Sequence, residues 1–418
     1  MADTRTDPRA FTRSAIRWAA RLQSHILCAT AVLVLTGALA GCAATIRMPA
    51  VPLVKAAEAH PLGIPNARFY MNGDKHKVEE LAREVIEKKK RLARQAGGRP
   101  AESNYLAISG GGDDGAFGAG LLLGWSARGD RPSFDIVTGI STGALTAPFA
   151  YLGPAYDPQL KAVFTNTTKQ DVFVARPMLY AALASDALTD STPLRNLIAS
   201  YVDHTMIRRI AEEYDKGRLL LIATTNLDQS QSVVWNIGAI AKSGGERARA
   251  LIIDVLRASA SIPGAFPPVM LDVTVDGQRY QEMHVDGGTV AQAFLYPPSF
   301  SLKAIDKKLN RKVTRHAYVI RNGRLSPPEE TVKQQTLSIV GQTVSTMIAN
   351  SGVNDTYRIY LETKRDGVGF NLAYIGEDFT TAYSGPFDPA YMRQLFDYGY
   401  SRAKAGNSWQ KKPPEYSE

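Results

Sequence analysis

The sequence predicts an α/β fold, a mostly parallel sheet with helices on both faces, and three observations predict it. From residue 104 onward, short apolar runs alternate with segments of helical length and spacing. Two of the strand-to-helix passages are glycine-rich turns, Ser109–Gly115 and Thr138–Gly143. The composition, 44% hydrophobic and 21% charged over 418 residues, supplies a large core, and the chain shows no internal repeat, heptad array or low-complexity tract.

The elements follow in order. Residues 43–73 hold several Pro and Gly and read as a tether and docking strand. Residues 74–95 read as a charged amphipathic helix, with Val78, Leu81, Ala82 and Val85 at helical spacing and Lys88-Lys89-Lys90 on a solvated face. Gly97-Gly98-Arg99-Pro100 marks a boundary. Then come a strand at Tyr105–Ile108, a helix at Gly115–Ala127, a strand at Phe134–Val137 and a helix at Ala144–Tyr151. An irregular stretch (153–191) leads to helices over 193–215, strands at Leu219–Ala223 and Val233–Ile237, and a helix at Glu246–Ser259. Met270–Val275 and Tyr280–Val285 form a hairpin through Asp276-Gly277. Ala317–Ile320 is a strand, 329–350 and 354–364 are helices, and 388–404 closes the chain.

The only cysteines are Cys28 and Cys42, so the body after residue 42 holds no disulfide, thiolate metal site or cysteine nucleophile. Residues 1–41 carry Arg5, Arg9, Arg13, Arg17 and Arg21 against Asp3 and Asp7, a net +3, so of the formal +9 the remainder keeps 9 − 3 = +6. Those basic residues are scattered. They suit contact with anionic head groups or plain solubility, and no nucleic-acid-binding signature accompanies them.

The Arg-studded start, the apolar run Ile26–Leu35 and the small residues up to Gly41 have the layout of a secretory signal, too short in its apolar part for a spanning helix. Leu39-Ala40-Gly41-Cys42 resembles the lipobox of bacterial lipoproteins. That resemblance implies cleavage before Cys42, lipidation of Cys42 and residence in the cell envelope, and Ala43 in second place favours the outer membrane. An uncleaved anchor helix, or an ordinary signal with a chance cysteine, is the plainer alternative.

Three pieces carry chemistry. In Ser109-Gly110-Gly111-Gly112-Asp113-Asp114-Gly115 consecutive glycines aim backbone N–H groups at a helix start, which suits a developing oxyanion. Gly110, Gly112 and Gly115 also satisfy the dinucleotide fingerprint, but Asp113 and Asp114 would repel a pyrophosphate there. Gly139-Ile140-Ser141-Thr142-Gly143, between strand and helix, reads as a nucleophile elbow. Asp286-Gly287-Gly288 closes the hairpin, and alone is no more than a turn.

Taken in order with Ala258-Ser259-Ala260-Ser261-Ile262-Pro263-Gly264-Ala265-Phe266-Pro267-Pro268, these pieces resemble the patatin-like phospholipase family over roughly 105–290. The resemblance implies a patatin-like three-layer α/β/α fold, with Ser141 as nucleophile and Asp286 as sole base. Gly110, Gly111 and Gly112 then supply oxyanion-hole amides, and Gly139 and Gly143 shape the elbow. It implies a lipid acyl hydrolase of phospholipase A or lysophospholipase type, with membrane lipids as substrate and anchor and no cofactor, metal or nucleic acid. Protein partners stay unnamed. Many family members carry Arg or Lys at the place of Asp114, a departure that bears on phospholipid preference.

The organisation expected is therefore a signal peptide (1–41), an N-terminal tether and helix (42–99), an acyl hydrolase domain (100–400) and a C-terminal tail (401–418). A Ser-His-Asp triad is the rival chemistry, with His316 the only histidine after Asp286; His284, two residues before Asp286, could tune the site or simply end a strand. From another class, a non-catalytic envelope lipoprotein could bind lipid or a partner on the same scaffold.

Overall fold

Strands covered on both faces read as unbroken apolar runs, because successive side chains alternate between two cores. Leu106, Ile108, Val137, Leu220, Ile222 and Ile320 pack into one hydrophobic cluster, whereas Tyr105, Ala107, Leu219, Leu221, Ala317 and Val319 pack into a second. A computed structural model of the chain describes residues 47–95, 102–176, 187–310, 313–326, 332, 334–383, 385–414 and 416. Cys28, Cys42 and the signal-like segment lie outside the described residues. Residues 48–177 and 186–418 cluster as one unit; of the other, 1–47 with 178–185, only Arg47 is described.

In chain order the principal elements are β1 (Arg68–Tyr70), α1 (Lys75–Gln95), β2 (Glu102–Ile108), α2 (Gly115–Arg128), β3 (Ile136–Gly139) and α3 (Thr142–Leu152). Next come α4 (Thr192–Tyr201), α5 (His204–Asp215), β4 (Leu219–Asn226), β5 (Gln231–Asn236) and α6 (Gly245–Ser259). The last are β6 (Val269–Val275), β7 (Gln278–Asp286), β8 (Thr314–Arg321), α7 (Thr336–Asp366), β9 (Gly369–Tyr374) and α8 (Pro389–Ala405). Among the described residues the main sheet has nine strands, with β1-β5-β4-β3-β2-β8-β9 as its path. The five strands from β4 to β9 along that path run parallel, and β5 and β1 join antiparallel at one edge.

One strand has a double role. Along a single edge of β4, residues 219–222 pair with β3 and residues 224–226 pair with the end of β7. Thus β7 continues where β3 stops. The hairpin β6–β7, turned at Asp276 (φ 51) and Gly277 (φ 75), extends beyond the C-terminal ends of the parallel strands.

Helix α2 is rich in glycine for a packing reason. A Cβ on Gly120 would stand 1.9 Å from the Phe396 carbonyl oxygen, and one on Gly124 would stand 2.1 Å from that of Tyr400, so α8 lies backbone-close against α2. The helices expected over 193–215 are present as α4 and α5, parted where the Asp203 side chain accepts from the Met206 N–H at 2.7 Å and starts α5. The structure departs from the sequence expectation at several elements. The helices expected at 329–350 and 354–364 are one, α7, running from Thr336 to Asp366. Gly352 does not break it; the glycine makes room for Arg321, whose Nη1 would be 2.2 Å from a Cβ there. Strand β9 falls where no strand is expected. Residues 401–414, set apart as part of a tail, continue α8 through Ala405, and Trp409 then packs on Trp125 and Tyr318.

Candidate active site

The turn after β3 is sterically compelled. Ser141 sits at φ 55, ψ −126, a region that non-glycine residues avoid. A Cβ at Gly139 would stand 2.4 Å from the Gly143 carbonyl oxygen, and one at Gly143 would stand 2.3 Å from that of Ile108. Only glycine at both places lets the chain reverse so sharply and set Ser141 at the start of α3. The Ser141 N–H donates to Ser259 Oγ (3.0 Å), and that hydroxyl donates to the Ala223 carbonyl (2.7 Å), so α6 and β4 clamp the elbow.

Asp286 reaches the same place by register. Gly139 pairs with Ile222 and Asp286 pairs with Thr224, two residues further along β4. At about 3.3 Å per residue this sets the carboxylate one pleat beyond the end of β3, level with the elbow. The Asp286 N–H donates to the Ser261 carbonyl (2.8 Å), and Oδ1 accepts from the Gly288 N–H (2.7 Å). Oδ2 is buried and has no hydrogen-bond partner among the described residues. Burial pushes the carboxyl up to about 7, and the Ser141 hydroxyl and the Gly288 N–H offset part of the rise. Serine and aspartate are therefore close without a completed hydrogen bond, as uncomplexed sites often are.

The glycine loop lies over them. A Cβ on Gly110 would stand 3.1 Å from Ser141 Cβ. The Gly110 N–H is committed to the Gln292 carbonyl (3.1 Å), whereas the amides of Gly111 and Gly112 make no hydrogen bond among the described residues. Asn322 braces the loop: its N–H donates to Ser109 Oγ (2.8 Å), its Nδ2 to the Ser109 carbonyl (2.9 Å), and its Oδ1 accepts from the Gly118 N–H (3.1 Å). Gln292 links the loop to the Asp286 turn, its Nε2 donating to the Gly288 carbonyl (3.0 Å). Asp355 on α7 in turn accepts from the Gln292 and Ala293 amides, at 2.6 and 3.1 Å. Nothing in the sequence marks Gln292, Asn322 or Asp355; of the four bracing residues only Ser259 lies within a recognisable motif, Ala258–Pro268.

The two aspartates of the loop turn outward to the C-terminal segment. Asp113 accepts from the Phe387 N–H (3.0 Å), and Asp114 accepts from the Tyr391 hydroxyl (2.9 Å). Burial raises Asp114 to about 7, with Asp113 adding to the rise and Tyr391 opposing it. Beside Ser141 and Gly112 opens a slot of about 550 Å³, counting the part open to solvent. Leu145, Val163, Phe164, Leu194, Phe266 and Met392 line it.

Among the described residues no histidine hydrogen-bonds to Ser141 or Asp286. His316 pairs with Asn104 near the start of β8, four residues before the pair Ile320–Ile108 that leads into the glycine loop, so about 13 Å of strand separates it from the site. His284 is fully buried and its Nδ1 meets Thr224 Oγ1 (2.8 Å), the same oxygen that accepts from Trp235 Nε1 (2.8 Å). Its other nitrogen meets Glu282 (3.2 Å), and Glu282 pairs with Arg68 of β1. Burial holds His284 below the usual histidine range, so it is the neutral ring, accepting from Thr224 and donating to Glu282. It is a strut beneath the hairpin. No group of three or more His, Cys, Asp or Glu among the described residues is placed to hold a metal ion.

Residues 106–296 match the patatin-like phospholipase family profile. The chain carries a patatin-like domain. Solved structures similar to it include VipD from Legionella pneumophila, at 11% identity over 74% of this chain and 68% of that one, with a TM-score of 0.31. The type III effector protein ExoU is 12% identical over 74% of this chain and 54% of its own, with a TM-score of 0.28. No curated protein sequence matches the chain. The patatin-like domain supports lipid acyl hydrolysis as its general activity.

Proposed function

We propose that the patatin-like domain hydrolyses fatty-acyl esters of membrane lipids through Ser141 and Asp286, without cofactor or metal. One observation carries the reading: a buried aspartate, fixed by one oxygen to a backbone amide, with its other oxygen unpartnered next to a serine on a strained elbow. Ser141 Oγ attacks the ester carbonyl while Asp286 Oδ2 takes its proton. The oxyanion is held by the amides of Gly111 and Gly112, which make no hydrogen bond among the described residues, rather than by that of Gly110. The alcohol leaves with the proton from Asp286, and the acyl group stays on Ser141 with its chain in the apolar slot. Water, losing its proton to Asp286, attacks the acyl-serine; the fatty acid leaves and Ser141 regains the proton. A fluorophosphonate probe tests the site: labelling at Ser141 with turnover of a short-chain ester is expected, and neither would leave a lipid-binding scaffold.

The base must be ionised to act, so the raised carboxyl sets an acid limb. With Asp286 at about 7, kcat/KM is expected to fall about tenfold per pH unit below that value and to level off above it. A flat profile between pH 5 and 8 would remove Asp286 from the role.

The same proposal includes an envelope address. Lipidation at Cys42 would anchor the chain, since each buried CH₂ contributes about 0.8 kcal/mol and several chains on one cysteine add up. In a bacterial host, Cys42→Ala is expected to move the protein from the outer-membrane fraction to the soluble one; unchanged sedimentation with membranes would refute the anchor.

A further inference from the structure

Helix α7 changes character halfway along. From Gln334 to Asn354 the sequence runs 21 residues with no Lys, Arg, His, Asp or Glu, and the next 12, Asp355 to Asp366, hold six charged residues. The charged half docks on the body. Asp355 accepts from the Gln292 amide, Tyr360 packs on Phe370 at 5.1 Å between rings, and Asp366 accepts from the Tyr296 hydroxyl (3.0 Å). The uncharged half departs at Ala349–Gly352, where Arg321, at the site end of β8, donates to the Ala349 carbonyl (3.2 Å). Thirteen helical steps separate Thr336 from Ala349, so the helix continues about 20 Å past the strand end.

In that projecting part Val340, Val344 and Met347 are 54, 39 and 67% exposed, and their i, i+4, i+7 spacing puts them on one face. Ser338, Gln342 and Ser345 take the opposite face, and Ile339, 50% exposed, widens the apolar side toward Thr346, seven residues on. Followed toward the body, the apolar stripe gives way to Asn354, Arg358 and Arg365, and the two guanidinium groups pair with Asp355, Glu362 and Asp366 of the same helix. The tip is a poor helix by composition. Its Val, Ile, Thr and Ser are each about 0.5 kcal/mol worse than Ala, and the open Gly341 about 1 kcal/mol worse. Water offers it nothing in return; an apolar interface would.

We propose that residues 336–351 form an interfacial arm that seats the Val340, Val344 and Met347 face in a lipid bilayer and brings the Ser141 end of the sheet against it. The inference rests on the lipid acyl hydrolase reading above. The occupant is a bilayer because of where the chain comes from. The Pro49 carbonyl accepts from the Gln281 N–H (3.0 Å) on the hairpin that also extends past the site end. Cys42 is seven residues before Pro49, at most about 25 Å of extended chain, so an anchored Cys42 keeps that end near the membrane. A hydroxyl-bearing polar face without cations reads loosely packed acyl chains rather than anionic head groups.

The test uses the full chain with phosphatidylcholine vesicles. Met347→Trp is expected to emit at shorter wavelength with vesicles and to be quenched by brominated acyl chains, and Ser345→Trp far less. Met347→Asp and Val344→Asp are expected to lower vesicle hydrolysis at least tenfold and leave soluble short-chain ester hydrolysis and thermal unfolding unchanged. Ser345→Asp, with the same charge on the other face, keeps vesicle hydrolysis. An unquenched Met347→Trp, undiminished vesicle turnover in the apolar-face variants, or a spectral change that follows protein concentration without lipid would overturn the arm. Wild-type protein inactive on the soluble ester would instead sink the enzymatic reading, while the quenching still reports on the arm.

Discussion

Ser141→Ala is expected to abolish fluorophosphonate labelling and to lower ester turnover by at least about 10⁴-fold, with the fold intact. The variant removes only Oγ, and no backbone contact of the elbow passes through that atom. The Ser141 N–H keeps Ser259 Oγ, and the glycines at 139 and 143 keep their close approaches. Alanine inherits the same φ of 55, so the strain of ~1–3 kcal/mol that the turn stores is neither relieved nor increased. Thermal unfolding within a few degrees of wild type, together with lost turnover, separates a chemical role from a structural one. Substantial residual turnover would mean that the reacting serine is elsewhere.

Asp286→Asn is expected to act in opposite directions on activity and stability. Turnover falls by about 10⁴-fold because an amide cannot accept the serine proton. Stability rises at alkaline pH. In the folded protein the carboxyl titrates near 7 against 3.8 for an unburied one, so the folded state holds the proton more tightly. Its favourable contribution is complete below about pH 4, declines as pH rises, and is gone above about 7. Asparagine never ionises and escapes that loss, a gain on the order of 4 kcal/mol at most at pH 8 and close to none at pH 4. Urea unfolding at the two pH values measures it. A variant equally less stable at both would show that the Oδ1 contact with Gly288, rather than the buried charge, dominates at this position.

How much of this was legible beforehand follows from where each constraint lies. Gly139, Ser141 and Gly143 announce themselves because a sharp strand-to-helix turn forbids side chains locally, within five residues. The parallel core was legible for a similar reason: strands such as Leu219–Ile222 must be apolar at every position. Ser259, Gln292, Asn322 and Asp355 left no such mark. Each braces the site through a partner tens to hundreds of residues away, and a polar side chain looks the same in the sequence whether or not it does so. Gly352 misled in the opposite sense, since a glycine needed for close contact with Arg321 resembles a helix stop. The commitment of the Gly110 amide to Gln292 is likewise a tertiary fact that the run of glycines cannot express.

The common edge of β4 has a consequence for how this architecture can change. Nucleophile and base are 145 residues apart in the chain, yet their spacing is counted on a third strand, as two steps from Ile222 to Thr224. Whatever is spliced into the intervening chain, a cap, a lid or a whole recognition module, leaves that gauge untouched. A single residue added between Ile222 and Thr224 would instead turn Asp286 to the opposite side of the sheet. New specificities can therefore be grafted around the chemistry without retuning it, provided that one short interval of backbone keeps its length.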